Sequence, residues 1–313
     1  KVSYSGQSEP IVVANVGDVN GDGFYHFALG NLNDGSTVAI VNFQYIGSFN
    51  VDLGTGSWGT NQVVWITGDY TYQLGKSISL AGDMDGDGND DFIIGAPGYG
   101  SGKGAAFIIK GASTFQTNID LTTSTTAVIK HATTTGLALG SKVYGGLAYD
   151  MSGDFSAVAV CDSTASSSGG CYIVFQPVTA GSTDVDTMIS EKGFKISLST
   201  ASAPSNLQFS YIGDVNGDGY PDILIGAPDM GSNGAVYILY GPNTCTSPCK
   251  TCSGLTSTDW TSCLSCENIV GSQYHSGTTC SSACPSHYYA PANSYECTGL
   301  NNFFLNYLTS KSL

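Results

Sequence analysis

Arginine is absent from this chain of 313 residues, and its ten basic side chains are all lysines. Charged residues make up only 11% of the sequence, against roughly 25% in an average soluble protein. A nucleic-acid partner needs a cationic stripe to displace counterions, and nothing here supplies one. No apolar run approaches the ~20 residues needed to span a bilayer. Lys1 opens the sequence without an apolar leader, so a secretory signal, where one is used, is expected to have been removed already. Proline is scarce at 10 residues, and the 41 glycines show no period of three, which excludes collagen. There is no Asn-x-Ser/Thr sequon, so N-glycans have no acceptor. O-linked sugars keep acceptors at residues 122–126, 133–135 and 166–168. The G-x-S-x-G and H-E-x-x-H signatures and a glycine-rich phosphate loop entering a helix are also missing. The four histidines, His26, His131, His275 and His287, are scattered, and His131 on a predicted strand reads as structural. No enzyme is expected.

What the chain does have is acid, glycine and apolar residues. Its 25 acids give a formal charge of −15, and 41% hydrophobic residues are ample for a core. An acidic chain with few cations is suited to collecting metal ions. Three segments repeat one pattern: 17–23, 82–88 and 213–219 each read Gly-Asp-x-Asn/Asp-Gly-Asp-Gly. Their first aspartates, Asp18, Asp83 and Asp214, are separated by 65 and then 131 residues, so a fourth copy belongs near 149. Asp150-Met-Ser-Gly-Asp154 stands there and keeps two of the acids.

Each unit carries an apolar stretch before its loop, such as 78–81 or 209–212, and a strand-like stretch after it, such as 92–97 or 223–228. A Gly/Ser turn leads to another strand, 105–110 or 235–240, and one more lies about twenty residues before the next loop, at 63–67, 127–131 and 194–197. Four short strands in a unit of about 65 residues, with turns between, predict an all-β fold of four propeller-type blades, each a four-stranded antiparallel sheet. A propeller-like domain over 1–243, a cysteine-rich module over 244–299 and an apolar tail over 300–313 follow.

The acidic loops have the spacing of a calcium site. In Asp83-x-Asp85-x-Asp87-Gly-x-x-Asp91 oxygens recur every second residue, so one loop can wrap a hard cation with carboxylates and a backbone carbonyl, here that of Asn89. The fourth unit offers Asp214, Asn216, Asp218, the carbonyl of Tyr220, and Asp222. A strand follows each loop and the twelfth-position acid is missing, so neither is an EF-hand. The first loop has Asp18, Asn20, Asp22 and the carbonyl of Phe24, but His26 replaces the closing aspartate, and a hard cation gains little from imidazole. Its site is expected to be weak or empty. The third loop, with Ser152 and Val158 at ligand positions, is read as lost. Two strong Ca2+ sites and a doubtful third are predicted; an Asp/Gly turn without metal is the alternative for each.

These loops, followed by Ile-Gly-Ala-Pro at 94–97 and 225–228 and preceded by Leu74-Gly75 and Leu139-Gly140, resemble the FG-GAP repeat of integrin α-chain propellers. The resemblance covers residues 1–243 and is strongest in the second and fourth units. Gly30-Asn31-Leu32 and Cys161-Asp162-Ser163 depart from it, and the Leu-Gly pair is absent from the first and fourth units. It implies calcium that stiffens a propeller and partners bound through other loops. Integrin-type propellers have seven blades, however, and this chain has four units. The strand expected upstream of the first loop would precede Lys1, and the last unit runs into cysteines where its outer strand belongs. Val2–Tyr4 closing a ring, loss of residues by processing, and an edge supplied by another chain are three ways to complete it.

Ten cysteines fall in two groups. Cys161 aligns with Gly95 and Cys171 with Ala105, on strands flanking one turn, which predicts a disulfide across a hairpin. The other eight, at 245, 249, 252, 263, 266, 280, 284 and 297, resemble a furin-like or growth-factor-receptor cysteine-rich repeat. That resemblance implies the pairings Cys245–Cys252, Cys249–Cys263, Cys266–Cys280 and Cys284–Cys297. A zinc site is the rival reading, but the spacings do not repeat a CxxC…CxxC frame. Dense, even cysteine usage places the chain outside the cell or at its surface. The expected role is contact: a calcium-binding structural or adhesive subunit whose partners are other protein chains, copies of itself included. A receptor-like ligand-binding propeller is the alternative, and a non-catalytic part of a secreted hydrolase the third reading. The aromatic run at 303–308 is expected either to fold back on the cysteine module or to add a strand to a neighbouring chain.

Overall fold

The computed structural model describes residues 2–3, 10–32, 35–42, 51–52, 63–113, 115, 118–124, 126–148, 156–163, 170–175, 181–188, 193–196, 207–215 and 221–239, and the strand segments 249–252, 263–266, 288–289 and 298–299. The predicted tail at 300–313, most of the cysteine module and the third acidic loop lie outside these residues.

The chain is almost wholly β. After β1 (Val2–Ser3) the first unit holds β2 (Val12–Gly17), β3 (His26–Leu32), β4 (Thr37–Asn42), β5 (Val51–Asp52) and β6 (Val63–Thr67). The second holds β7 (Ile78–Gly82), β8 (Asp91–Ala96), β9 (Ala105–Ile109), β10 (Ile119–Asp120) and β11 (Ala127–Lys130). The third holds β12 (Lys142–Ala148), β13 (Ser156–Cys161), β14 (Cys171–Val174), β15 (Ser182–Asp184) and β16 (Gly193–Ile196). The fourth holds β17 (Gln208–Gly213), β18 (Asp222–Ala227) and β19 (Ala235–Leu239). Among the described residues the only α-helical segment is a four-residue turn at Tyr99–Gly102, and none of them forms a helix long and apolar enough to cross a membrane.

Each unit is an antiparallel meander: β2-β3-β4-β6, β7-β8-β9-β11, β12-β13-β14-β16 and β17-β18-β19. The strand about twenty residues before each loop is therefore the outer edge of the preceding loop's own sheet. This corrects the expectation that the first unit starts short. The first sheet is complete, and only the fourth has three strands among the described residues. The first two sheets reach five strands, which periodicity did not show. β10 adds in parallel to β6 of the preceding unit, and β15 adds likewise to β11. β1 pairs in parallel with β5 and not with the fourth sheet, so here it does not close a ring.

The sheets stack face to face, each burying its front against the back of the next. Val16, Val19, Val38 and Ile40 meet Ile78, Phe92, Ile94 and Phe107 in the first seam. Ala81, Met84, Ile93 and Ile108 meet Val143, Val158, Val160 and Tyr172 in the second. Leu147, Ala159 and Ile173 meet Phe209, Ile223, Ile225 and Tyr237 in the third. A strand covered on both faces can be apolar at every position, which is why β8 shows no alternation and is buried throughout. The Leu-Gly pairs sit in these seams. Leu74 and Leu139 are fully buried, and Gly75 and Gly140 take φ of 79° and 84°, a conformation that disfavours a side chain. A Cβ on Gly140 would strike the backbone of Ala105 in the preceding unit.

Candidate metal centre and its counterparts

The second unit's loop joins β7 to β8, and its turn is built by its own first aspartate. The Asp83 carboxylate accepts from the backbone N–H groups of Gly86 (2.8 Å), Asp87 (3.1 Å) and Gly88 (2.8 Å). Asp91, at the foot of β8, is fully buried. It accepts from the Met84 N–H at 2.8 Å and the Gly111 N–H at 2.7 Å. The turn thereby brings oxygens of Asp83, Asp85 and Asp91 within 4.8 Å of one another. Burial, joined by the carboxylates of Asp85 and Asp83, pushes the Asp91 carboxyl up to about 7 against the pull of its two N–H bonds. Three crowded carboxylates, one of them buried, form an environment that a divalent cation relieves, and an all-oxygen donor set suits calcium. Lys110 answers part of this charge, at 2.9 Å from Asp85. Of the remaining predicted ligands, Asp87 is turned toward Asn89, accepting from its backbone and side-chain N–H groups, both at 2.8 Å.

The fourth loop repeats the closing half of this geometry. Asp222 is fully buried and accepts from the Val215 N–H at 2.8 Å, as Asp91 does from Met84. Asp214 lies just past β17, while Asn216, Asp218 and Tyr220 fall outside the described residues.

The first loop is closed differently. The register that sets Asp91 opposite Gly82 and Asp222 opposite Gly213 sets His26 opposite Gly17. His26 is buried, and its Nδ1 has no hydrogen-bond partner among the described residues. The carboxylates are engaged within the loop: Asp18 accepts from Asp22 and Gly23 N–H at 3.1 and 2.8 Å, and Asp22 accepts from the Phe24 N–H and the Asn20 amide at 2.9 and 3.0 Å. Asp90 of the second unit then reaches across to the Asp18 N–H at 2.8 Å, while its own N–H donates to the Asp18 carbonyl at 3.0 Å. The first two loops are latched together. Sequence reading missed this contact because Asp90 lies outside the alternating ligand positions.

In the third unit the register places Ala157, not Val158, at the position of Asp91, because Leu147 opposite Ala157 matches Gly82 opposite Asp91. Either residue is apolar. The predicted disulfide is present, joining Cys161 to Cys171 across directly opposed positions of β13 and β14, with Cα atoms 4.1 Å apart. Next to it lies a charge cluster that the sequence did not reveal. His131, just past β11, is clamped between Asp186 on Nδ1 at 2.6 Å and Asp162 on Nε2 at 3.0 Å. Burial alone would lower the His131 pKa, but hydrogen bonds and charge from both aspartates raise it above 6.5. Burial pushes Asp186 up, yet the N–H groups of Thr133 and Thr134, the Thr134 hydroxyl and His131 hold it far below the ordinary carboxylate value. The cluster ties the outer strand of the second unit to two segments of the third. Its only sequence signal is Asp162, standing where Ala96 belongs in the Gly-Ala-Pro segment.

Of the eight C-terminal cysteines, the structure describes backbone pairing for two segments. Cys249 lies opposite Cys266 and Cys252 opposite Cys263. The predicted bridges of Cys245, Cys280, Cys284 and Cys297 fall outside the described residues.

The FG-GAP repeat family matches residues 75–109 and 211–239. These ranges are the second unit from Gly75 through β9 and the fourth from Tyr211 through β19, where the closing aspartates are buried. No curated protein matches the chain.

Proposed function

We propose that this chain is a calcium-stiffened, non-catalytic protein-contact module that works outside the cell. The convergence of Asp83, Asp85 and Asp91 inside a matched FG-GAP repeat carries the reading. Calcium bound there neutralises the crowded carboxylates and fixes the turn between β7 and β8, with an equivalent role for Asp214 and Asp222 in the fourth unit. It acts on rigidity and performs no chemistry. FG-GAP repeats suggest a protein-binding role, and the Cys161–Cys171 bridge supports an oxidising compartment. A surface poor in charge suits stable association with other chains in a structural or adhesive assembly.

Calorimetric melting in calcium and in chelator tests this function. With free calcium at about one hundred times Kd, a single site adds about 2.7 kcal/mol, so chelation should lower Tm measurably. An unchanged melting profile would contradict the metal reading.

A further inference from the structure

The three seams define what a front face and a back face require, and the two ends of the stack lack it. Register makes Val215 and Val236 of the fourth unit equivalent to Met84 and Ala106 of the second and to Val19 and Val38 of the first. Those four are buried in the first two seams. Val215 and Val236, on the front of the last sheet, are 51% and 52% exposed. At the other end, Val13 is equivalent to Ile78, Val143 and Phe209, which are buried in successive seams. Val13 is 64% exposed. The outer part of that back face is already covered, since Ile11 and Trp65 pack on the cluster of Leu29, Ala39 and Val41. Its inner strand is the part left open.

Strand pairing gives the same answer independently. β10 and β15 each lie between the third and fourth strands of a unit and pair in parallel with the outer strand of the unit before. β5 occupies the same place in the first unit, and its parallel partner is β1. β1 thus stands where the outer strand of a preceding sheet would stand, and the fourth sheet lacks an outer strand among the described residues.

We propose that β1 and the inner back face of one copy dock on the fourth unit of a second copy, head to tail. β1 runs antiparallel beside β19, as β6 does beside β4 and β11 beside β9, and Val13 covers Val215. A second copy fits as the occupant because its first unit carries, in β1 and Val13, the strand and the apolar side chain that the edge of the fourth sheet and the exposed Val215 call for among the described residues. Among the described residues, the inner strands pack β2 on β7, β7 on β12 and β12 on β17, with no comparable contact of β17 on β2. Such a contact is heterologous, so it either closes a ring of chains or extends as a filament. The inference deepens the contact-module reading by naming the partner, and it does not depend on calcium.

Sedimentation velocity over a concentration series, in saturating calcium, tests the pairing with Val13→Asp and Val236→Asp. Both positions are exposed in the single chain, so neither change strains its fold. The wild-type chain should form concentration-dependent oligomers, and each variant alone should sediment as a monomer. An equimolar mixture of the two should give a dimer and nothing larger, because each variant keeps one intact end. Three results would overturn the proposal: a monomeric wild type, whether open or closed on itself; oligomers unaffected by either change; or a mixture that stays monomeric. Chelator-independent melting would instead reject the calcium reading and leave this one standing.

Discussion

The second and third units share one sheet plan and hold it by opposite means. At the closing position of the loop the second has buried Asp91, drawn toward Asp83 and Asp85. The third has Ala157, and its bracing lies at the other end of the same strand. There a disulfide joins β13 to β14, and the His131–Asp162–Asp186 cluster fastens the sheet to its neighbour. The same sheet plan is therefore compatible with different chemistry at its two ends: an acidic trio in one unit, a disulfide and a charge cluster in the other. On the proposed reading the lock of the second unit answers to the calcium around it, whereas the disulfide of the third is fixed once it has formed and the charge cluster beside it answers to pH.

The largest expected effect breaks the third unit's side of this comparison. Asp162→Ala leaves His131 buried with one partner removed and should cost about 3–5 kcal/mol, read by denaturant unfolding with and without calcium. The loss should be the same in both conditions. The cluster also sets a pH window. The His131 pKa is raised above 6.5, so its contribution is full below 6.5 and disappears as pH climbs through the folded value. The Asp186 pKa is lowered below 3.8, so its contribution is present above 3.8 and fades as pH falls. Stability from this cluster should therefore peak between those two values, and Asp162→Ala should flatten the upper limb of the profile.

Replacing Cys161 and Cys171 together by alanine should cost somewhat less, about 2–3 kcal/mol, since the bridge closes a short loop. Asp91→Asn should remove the calcium-dependent share of stability, about 2 kcal/mol with calcium about thirtyfold above Kd. In chelator the same change should leave a smaller cost of about 1 kcal/mol, because an amide oxygen can serve only one of the Met84 and Gly111 N–H groups, a loss that relief of the crowded carboxylate partly offsets. Asp22→Asn in the first loop should change stability by less than about 0.5 kcal/mol in either condition. A calcium-dependent loss there as large as that of Asp91→Asn would erase the distinction between a closing aspartate and a closing histidine.

Much of this arrangement is legible in the sequence because it rests on local chemistry. The period of the Gly-Asp loops marks the units, the alternating oxygens of 83–91 mark the acidic trio, and the alignment of Cys161 with Gly95 and Cys171 with Ala105 marks the bridge. What escaped notice is what joins units far apart in the chain. Asp90 latches onto Asp18 across 72 residues, and His131 meets Asp186 across 55. No periodicity encodes such pairs. The parallel additions of β10 and β15 are two and three residues long, too short for any alternation. The outer strands are legible in the sequence, but their spacing credits them to the loop that follows, whereas each joins the sheet of the loop before it.

Hydrogen exchange of the backbone amides, compared in calcium and in chelator, tests the contrast between the two locks most directly. The account predicts that chelation raises exchange at residues 83–91, with the Met84 and Gly111 amides that serve Asp91 among the most affected, and leaves β13 and β14 around the Cys161–Cys171 bridge unchanged. Equal loss of protection in both units, or none at residues 83–91, would contradict it.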